Sequence, residues 1–345
     1  MQLNSILKKL LNSDEPCIRF KALTMLLGKD CKSAQMRNLR EEIRNSQRVK
    51  LLLSQRNEKG KIPFHPYRKW FGAHWVLSSL AEIEHPPNDN ELIPLKEQIC
   101  EWLFSKQHLD SIRCIQDRFR RCASQEGNAI HAMLKLGLAD SRVDEIIERL
   151  LSFQWPDGGW NCDKRPKAVN SSFVETLIPL RALSLHAKIT GNKKSKAAAQ
   201  RAAEVFLKRR LYKRRSDGHI IKDAFIELHY PCYYHYDILF GLKVMAESGF
   251  INDDRCNDAL DLLESKQLLA GGFPVQKNYY RRSRQQISGR SLVDWGKTGK
   301  SFMNEFVTMD AMYVLKAAGR LNLEDLVGDG KSLLSSGTGD SGLNH

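Results

Sequence analysis

Residues that can exchange protons and stabilise positive charge are concentrated in one short segment, LHYPCYYHYDIL. Imidazole and carboxylate side chains serve as acids and bases, while aromatic faces stabilise developing cations and shield them from water. We therefore expect His235 and Asp237 to act as an acid–base pair, with Tyr233 and Tyr236 beside the substrate. His229 is a further substrate-binding candidate, and the alternative for it is a structural role in an aromatic-rich turn.

A second cluster occupies the segment WNCDKRPKAVNSSFVETL, which begins at Trp160. Asp163 and Glu175 lie twelve positions apart across a loop in this segment and could form a carboxylate pair. Such a pair, in which one member has a raised pKa, is suited to protonating an alkene or an ether oxygen. The alternative is structural: Ser172 would cap a helix, Glu175 would complete a capping box, and Asp163 would form a turn.

Basic residues are crowded in two further segments, KRRLYKRR at 208–215 and KNYYRRSRQQISGR at 277–290. Arginine gives bidentate contacts to phosphate groups, so these segments could capture a diphosphate. They could equally be a solvated helix end and a loop.

An internal repeat organises the chain. The stretch DSRVDEIIERLLSFQWPDGGW, from Asp140, matches DDRCNDALDLLESKQLLAGGF, from Asp253, at a constant offset. Two weaker copies precede the first stretch and one lies between the two, and the spacing of about 50 residues predicts two helices per unit. The equivalent anchor positions are Gln55, Gln107, Gln154, Arg210 and Gln267.

A second amphipathic helix is predicted after each anchor, because Leu, Met, Val and Ala recur there at helical spacing. Gly137, Gly191, Gly249 and Gly319 follow four of these stripes and are predicted to end the helices. No alternating segment rich in Val, Ile and Thr favours a sheet, so the chain is predicted to be all-α.

The segment LLSFQWPDGGW resembles the QW motif of squalene cyclases and related terpenoid cyclases and prenyltransferases. The resemblance is clearest at 154–160, is weaker at 267–273, and extends through the repeat over most of residues 50–320. It implies an α/α toroid of the α6/α6-barrel type, built from about five to six helix pairs around a central cavity. Two features depart from the cyclases: the Asp-x-Asp-Asp acid motif is absent from the sequence, and the chain is too short for two toroidal domains.

The implied fold places the loop before each inner helix, and the first turn of that helix, at one end of the cavity. Polar and aromatic residues just ahead of the apolar stripes, including Cys122 and Gln125, are therefore candidates for a common site. The catalytic candidates are Asp163, His235, Asp237, Glu175 and Glu126, and the substrate-binding candidates are His74, Trp75, Trp160, Cys162, His229, Tyr233, Tyr236, Arg121 and Asn128.

No cofactor is expected, with one alternative left open. Prenyltransferase β subunits hold zinc through Asp, Cys and His, and Cys162, Asp163 and His235 could imitate that set, although their local spacing does not match it.

Composition limits the classes of partner. The net charge of +14 is not accompanied by a recognised nucleic-acid motif, so an anionic small molecule or an acidic membrane surface is the expected partner. The eight cysteines include no CxxC pair, which favours reduced thiols in a cytoplasmic protein. No secretory signal or membrane-spanning run is evident.

Three regions follow from these patterns. Residues 1–50 are expected to form helices that pack on or complete the toroid, residues 51–325 the repeat domain, and residues 326–345 a flexible tail. The resemblance implies an isoprenoid-handling enzyme that acts on a small molecule such as an isoprenoid or a diphosphate. The alternatives are a carbohydrate-active toroid with a carboxylate pair and a non-catalytic helical-repeat binding protein.

Overall fold

The computed structural model describes residues 2–321, and the expected C-terminal tail lies outside these residues. The described chain is mostly helical, as predicted. Its helices are α1 (Gln2–Leu11), α2 (Pro16–Lys21), α3 (Ala34–Arg44), α4 (Gln47–Leu53), α5 (Ala73–Glu82), α6 (Ile93–Leu103), α7 (Lys106–Asp110), α8 (Ala123–Lys135), α9 (Ser141–Ser152), α10 (Phe173–Thr190), α11 (Lys193–Leu207), α12 (Ile238–Glu247), α13 (Asn257–Glu264) and α14 (Glu305–Ala317).

Short strands add two small ladders that the sequence did not predict. Strands β1 (Arg113–Ile115) and β2 (Arg118–Arg120) form an antiparallel hairpin, and β3 (Arg281–Arg282) pairs in parallel with β4 (Arg290–Ser291). Each strand has only two or three residues, so the ladders fix loops and form no layer of the core.

Six helical segments contact one another in series. Helix α5 packs on α8, α8 on α10, α10 on α12, and α12 on α14, which contacts α2 and its π-helical continuation Ala22–Leu26. Lys21 of α2 then reaches Glu82 of α5 at 3.5 Å. We call these six segments the inner helices. Helices α3, α6, α9, α11 and α13 pack on α2, α5, α8, α10 and α12, respectively, and are called the outer helices; α6 also contacts α8.

The repeated sequence produces repeated contacts between outer helices. Arg142 at the start of α9 forms a two-bond ion pair with Glu97 of α6, with N···O distances of 2.6 and 2.7 Å. Arg255, just before α13, makes the equivalent pair with Glu204 of α11 at 2.9 and 3.0 Å. The repeat therefore fixes how neighbouring units are joined.

The glycine-containing loops of the repeat are joined to inner helices in the same way. The backbone N–H of Trp160 donates to Thr176 of α10 at 3.1 Å, and that of Phe273 donates to Thr308 of α14 at 2.9 Å. Gly158 has a φ of +103°, and a Cβ there would lie 2.2 Å from the carbonyl oxygen of Arg201. Glycine is required because the loop is both left-handed and in contact with the α11 backbone.

The predicted helix ends are confirmed. Gly137, Gly191, Gly249 and Gly319 all have left-handed φ values between 64° and 81°, the conformation that ends a helix. Among residues 2–321, no helix combines the length and the apolarity that crossing a bilayer requires.

Trp160 should be a major source of stability. Its side chain is fully buried, and its indole N–H donates to the carbonyl oxygen of Leu150 at 3.0 Å. We expect Trp160→Ala to lower the free energy of unfolding by about 3–5 kcal/mol, because it leaves a large cavity. Urea denaturation measures this change. Phe302→Ala, at a half-exposed position, is the control and should change little; an equal effect of both would contradict the assignment.

Candidate functional site

Two thiols and a carboxylate from different parts of the sequence lie together. Cys122 immediately precedes α8, Cys162 lies in the loop before α10, and Glu175 lies in the first turn of α10. Their ligand atoms all lie within 4.8 Å of one another, and Cys162 Sγ is 3.5 Å from Glu175 Oε1. We call these residues the thiol–carboxylate cluster. Cys122 is exposed and Glu175 is buried, so the cluster opens to solvent on the cysteine side.

The backbone around the cluster is held by several hydrogen bonds. Asn161 accepts from the N–H of Asp163 and donates to the carbonyl oxygen of Asn170, both at 2.9 Å, which fixes the loop that carries Cys162. The N–H of Arg121 donates to the carbonyl oxygen of Asn161 at 3.2 Å and joins this loop to the start of α8.

Glu175 points toward α8 and not back along its own helix. Ser172 Oγ accepts the Glu175 N–H at 3.5 Å, so the predicted cap is present. Oε2 of Glu175 accepts the N–H of Ser124 at 2.9 Å. The expected capping box, in which Glu175 would bond back to Ser172, is therefore not formed. Burial raises the pKa of Glu175, although its hydrogen bonds oppose the shift.

The two thiols are electrostatically unequal. A hydrogen bond from the Cys162 thiol lowers the pKa of Cys122, and Lys164 and Arg121 lower it further by their positive charges. The same contact, together with burial and the Glu175 charge, raises the pKa of Cys162. Cys122 is therefore the thiol that more readily becomes a thiolate.

Aromatic rings line the region beside the cluster. We call Tyr67, Trp70, Tyr234, His235 and Tyr279 the aromatic wall. Trp70 contacts Tyr234 and His235 with centroids 5.7 and 5.6 Å apart, and His235 stacks on Tyr279 at 3.6 Å. Tyr67 connects the wall to the cluster: burial raises the pKa of its phenol, and the nearby charges of Glu175 and Cys122 add to that shift.

Two lysines lie against this wall. Lys277 Nζ is 5.6 Å from the Tyr279 ring centroid and is already ion-paired with Glu227 at 3.0 Å, whereas Lys69 contacts Tyr234. Lys69 Nζ donates to the Tyr234 hydroxyl at 2.6 Å and lies 4.5 Å from the Tyr234 ring centroid. Tyr67, Lys69, Tyr234, His235 and Tyr279 are all partly exposed. The wall therefore presents both an apolar face and a positive charge to solvent.

The predicted His235–Asp237 pair is replaced by a different contact. Asp237 caps α12 by accepting the N–H of Phe240 at 2.7 Å, and its carboxylate turns back to His229, whose Nδ1 is 2.6 Å from Oδ2. His235 is stacked in the wall, where burial lowers the pKa of its imidazole to about 3. Because Asp237 caps α12, its carboxylate contacts only the residues that the preceding turn places beside the start of the helix, and His229 is one of them.

Asp163 is engaged outside the cluster. Both its carboxylate oxygens contact Arg165, with N···O distances from 2.5 to 2.9 Å, and this pairing lowers the pKa of Asp163 to about 2. In residues 2–321, the thiol–carboxylate cluster is the one group of three His, Cys, Asp or Glu ligand atoms close enough to share a metal ion. The alternative set of Cys162, Asp163 and His235 is therefore not assembled.

Several other candidates are enclosed in the core. Glu126 forms a buried ion pair with Arg121, and Arg149 lies 3.6 Å from it. Trp160 is buried, and the Tyr236 hydroxyl donates to the Leu211 carbonyl oxygen at 2.6 Å. These contacts position helices and loops and leave the side chains away from solvent.

His74, Trp75, Tyr233 and Asn128 lie behind the aromatic wall. Trp75 and Tyr233 are buried, and Tyr233 stacks on Trp70 at 3.9 Å. Asn128 of α8 donates to the Tyr233 carbonyl oxygen at 3.3 Å. Of the predicted substrate-binding residues, these support the wall, while Cys162 belongs to the cluster.

A second polar site was missed by the sequence analysis. Lys243 of α12 contacts Glu82 of α5 and Asp310 of α14, and Arg181 of α10 contacts Glu82 at 3.0 Å. With Lys21, these residues form what we call the charged centre, which borders a cavity of about 230 Å³. Burial alone would raise the pKa of Glu82, but Lys243 and Arg181 lower it well below its ordinary value.

Signals for the missed residues were present. Lys21 and Lys243 each interrupt an apolar helical stripe, and an unpaired charge in such a stripe requires a partner. Lys69 lies just ahead of α5, in the same position relative to its helix as the candidates that were chosen.

Neither a protein-family model nor a curated protein sequence matches this chain.

Removing one cation from the charged centre should lower the stability of the protein. Lys243→Met leaves Glu82 and Asp310 with fewer partners, and we expect the free energy of unfolding to fall by about 3–5 kcal/mol. Lys106→Met removes an exposed ion pair with Asp110 and serves as the control. Denaturant unfolding at neutral pH compares the two, and similar small losses would contradict a coupled buried network.

His74 should make stability depend on acid. Burial lowers the pKa of its imidazole from 6.5 to about 3, and neither ring nitrogen has a hydrogen-bond partner within the described residues. Between these values the unfolded chain binds a proton that the folded chain does not, so stability falls as the pH falls. The difference in unfolding free energy between wild type and His74→Phe should shift by up to about 1.4 kcal/mol per pH unit across this interval. Parallel pH profiles would show that His74 is not buried as a neutral base.

Proposed function

We propose that the protein is an α/α-toroid enzyme that binds a small isoprenoid, in the form of its diphosphate, against the aromatic wall. The serial packing of the six inner helices supports the toroid. Further support comes from the charged centre, where Lys21 of the first inner segment meets Glu82 of α5 and Asp310 of α14.

The observation that carries the functional proposal is the position of Lys69 on the wall. An isoprenoid diphosphate has an apolar, unsaturated chain and an anionic head, and its chemistry passes through a carbocation. Aromatic faces stabilise such a cation, and an ammonium group beside them attracts the head group. Tyr234 provides the aromatic face and Lys69 the ammonium group, and a hydrogen bond joins the two side chains.

The sequence resemblance supports the same class. The loops at Trp160 and Phe273 join consecutive helices by matching contacts to Thr176 and Thr308. This is the structural role that the resemblance gives to such loops. The alternative of a carbohydrate-active enzyme gains no support, because the carboxylate of Asp163, one member of the expected carboxylate pair, is bonded to Arg165.

Binding of farnesyl diphosphate, farnesol and inorganic diphosphate should be compared by isothermal titration calorimetry. We expect the diphosphate ester to bind more tightly than either part alone. Lys69→Ala should weaken its binding by about tenfold or more, because a charge-assisted hydrogen bond contributes about 1.5–3 kcal/mol. Tyr234→Ala should weaken binding of both the ester and farnesol, because it removes the aromatic face.

Lys106→Ala is the matched control, since Lys106 is an exposed lysine whose ion-pair partner is Asp110 on α7. Circular dichroism checks that each variant is folded. No binding of the ester, or equal binding by wild type and Lys69→Ala, would overturn the proposal. Binding without turnover in a mixture with candidate acceptors would limit the protein to a binding role.

A further inference from the structure

The donor atoms of the thiol–carboxylate cluster are arranged like one face of a metal site. A zinc ion bound tetrahedrally lies about 2.3 Å from sulfur and about 2.1 Å from a carboxylate oxygen, which places the two ligand atoms about 3.6 Å apart. The observed separation of Cys162 Sγ and Glu175 Oε1 is 3.5 Å, and Cys122 Sγ completes a triangle with no edge longer than 4.8 Å.

We propose that Cys122, Cys162 and Glu175 bind a zinc ion. Two thiols and one carboxylate are a donor set that suits zinc, whereas Mg²⁺ and Ca²⁺ require oxygen ligands. The site differs from the Asp, Cys and His set implied by the sequence resemblance, because Asp163 pairs with Arg165 and His235 stacks on Tyr279. It is independent of the proposed substrate.

The ligands are held in position before any ion binds. The N–H of Ser124 donates to Glu175 Oε2 and leaves Oε1 directed at the cysteines. Oε2 therefore holds the side chain in place, and Oε1 is directed at the position of the ion. Hydrogen bonds to the outer atoms of ligating groups raise metal affinity, because they fix the ligand orientation.

The surroundings also suit the charge of the complex. Zinc binding releases the protons of both thiols, and two thiolates with one carboxylate give the site a net charge of −1. Lys164 and Arg121 already act on Cys122 by their positive charges and would offset it. Exposure of Cys122 provides an entry path for the ion.

Three protein ligands leave a fourth position, as in catalytic zinc sites. Tyr67, a member of the aromatic wall, lies close enough to the cluster for the charges of Glu175 and Cys122 to act on its phenol. A bound ion would supply Lewis acidity at this position.

The test measures metal binding by the full-length protein under reducing conditions, so that a Cys122–Cys162 disulfide cannot imitate a loss of affinity. Zinc affinity and stoichiometry are obtained by competition with a chromophoric chelator. Cobalt substitution then reports thiolate ligands through sulfur-to-metal charge-transfer absorption. We expect one ion per chain and an absorption intensity of two thiolates.

Cys122→Ser, Cys162→Ser and Glu175→Gln should each weaken zinc binding by more than about tenfold, and either serine variant should reduce the charge-transfer intensity. Cys114→Ser, at an exposed cysteine on β1, is the matched control and should bind as wild type. Absence of zinc binding by wild type overturns the inference, and so does wild-type affinity in both serine variants. Because no substrate is used, failure of isoprenoid binding leaves this result unaffected.

Discussion

Charges buried between the inner helices are the constraint on which the remaining structure depends. Lys243 and Asp310 are nearly excluded from solvent, and Glu82 is mostly enclosed. These three residues lie on three different inner helices, while Arg181 and Lys21 join them from two more. Removing a charge from water costs several kcal/mol, so each helix must place its charged side chain against the partners supplied by the others. The relative positions of these helices are therefore coupled, and this coupling holds together segments that are far apart in the sequence.

The charged centre lies at a different part of the inner helices from the thiol–carboxylate cluster and the aromatic wall. The charged centre lies in the middle and later turns of these helices, where its charges largely neutralise one another. The thiol–carboxylate cluster and the aromatic wall lie at the beginnings of the helices and in the preceding loops, where the groups remain partly exposed. The second region is therefore the more exposed of the two, whereas the charged centre satisfies its own polar groups.

The wall and the cluster are complementary parts of one proposed site. Trp70, Tyr233 and Trp75 form a packed aromatic support, and Tyr234, His235 and Tyr279 present its outer face. Lys69 adds a positive charge to that face, and Tyr67 connects it to Glu175. An apolar chain with an anionic head fits this division between aromatic and polar surfaces, and the thiols provide a metal site at their boundary.

The sequence alone determined the helical class, the repeated pairs and the glycine positions that end helices, because these depend on local spacing and backbone preference. It also placed Cys162 and Glu175 among the candidates, because polar residues at the start of an apolar stripe are visible in one dimension. Tertiary structure alone decided that Glu175 reaches Ser124 and the cysteines, that Asp163 turns to Arg165, and that Asp237 meets His229 and not His235. The partner of a side chain depends on how distant segments pack, because several groups within hydrogen-bonding distance compete for it. The spacing of residues in the sequence does not show which of these groups is nearest.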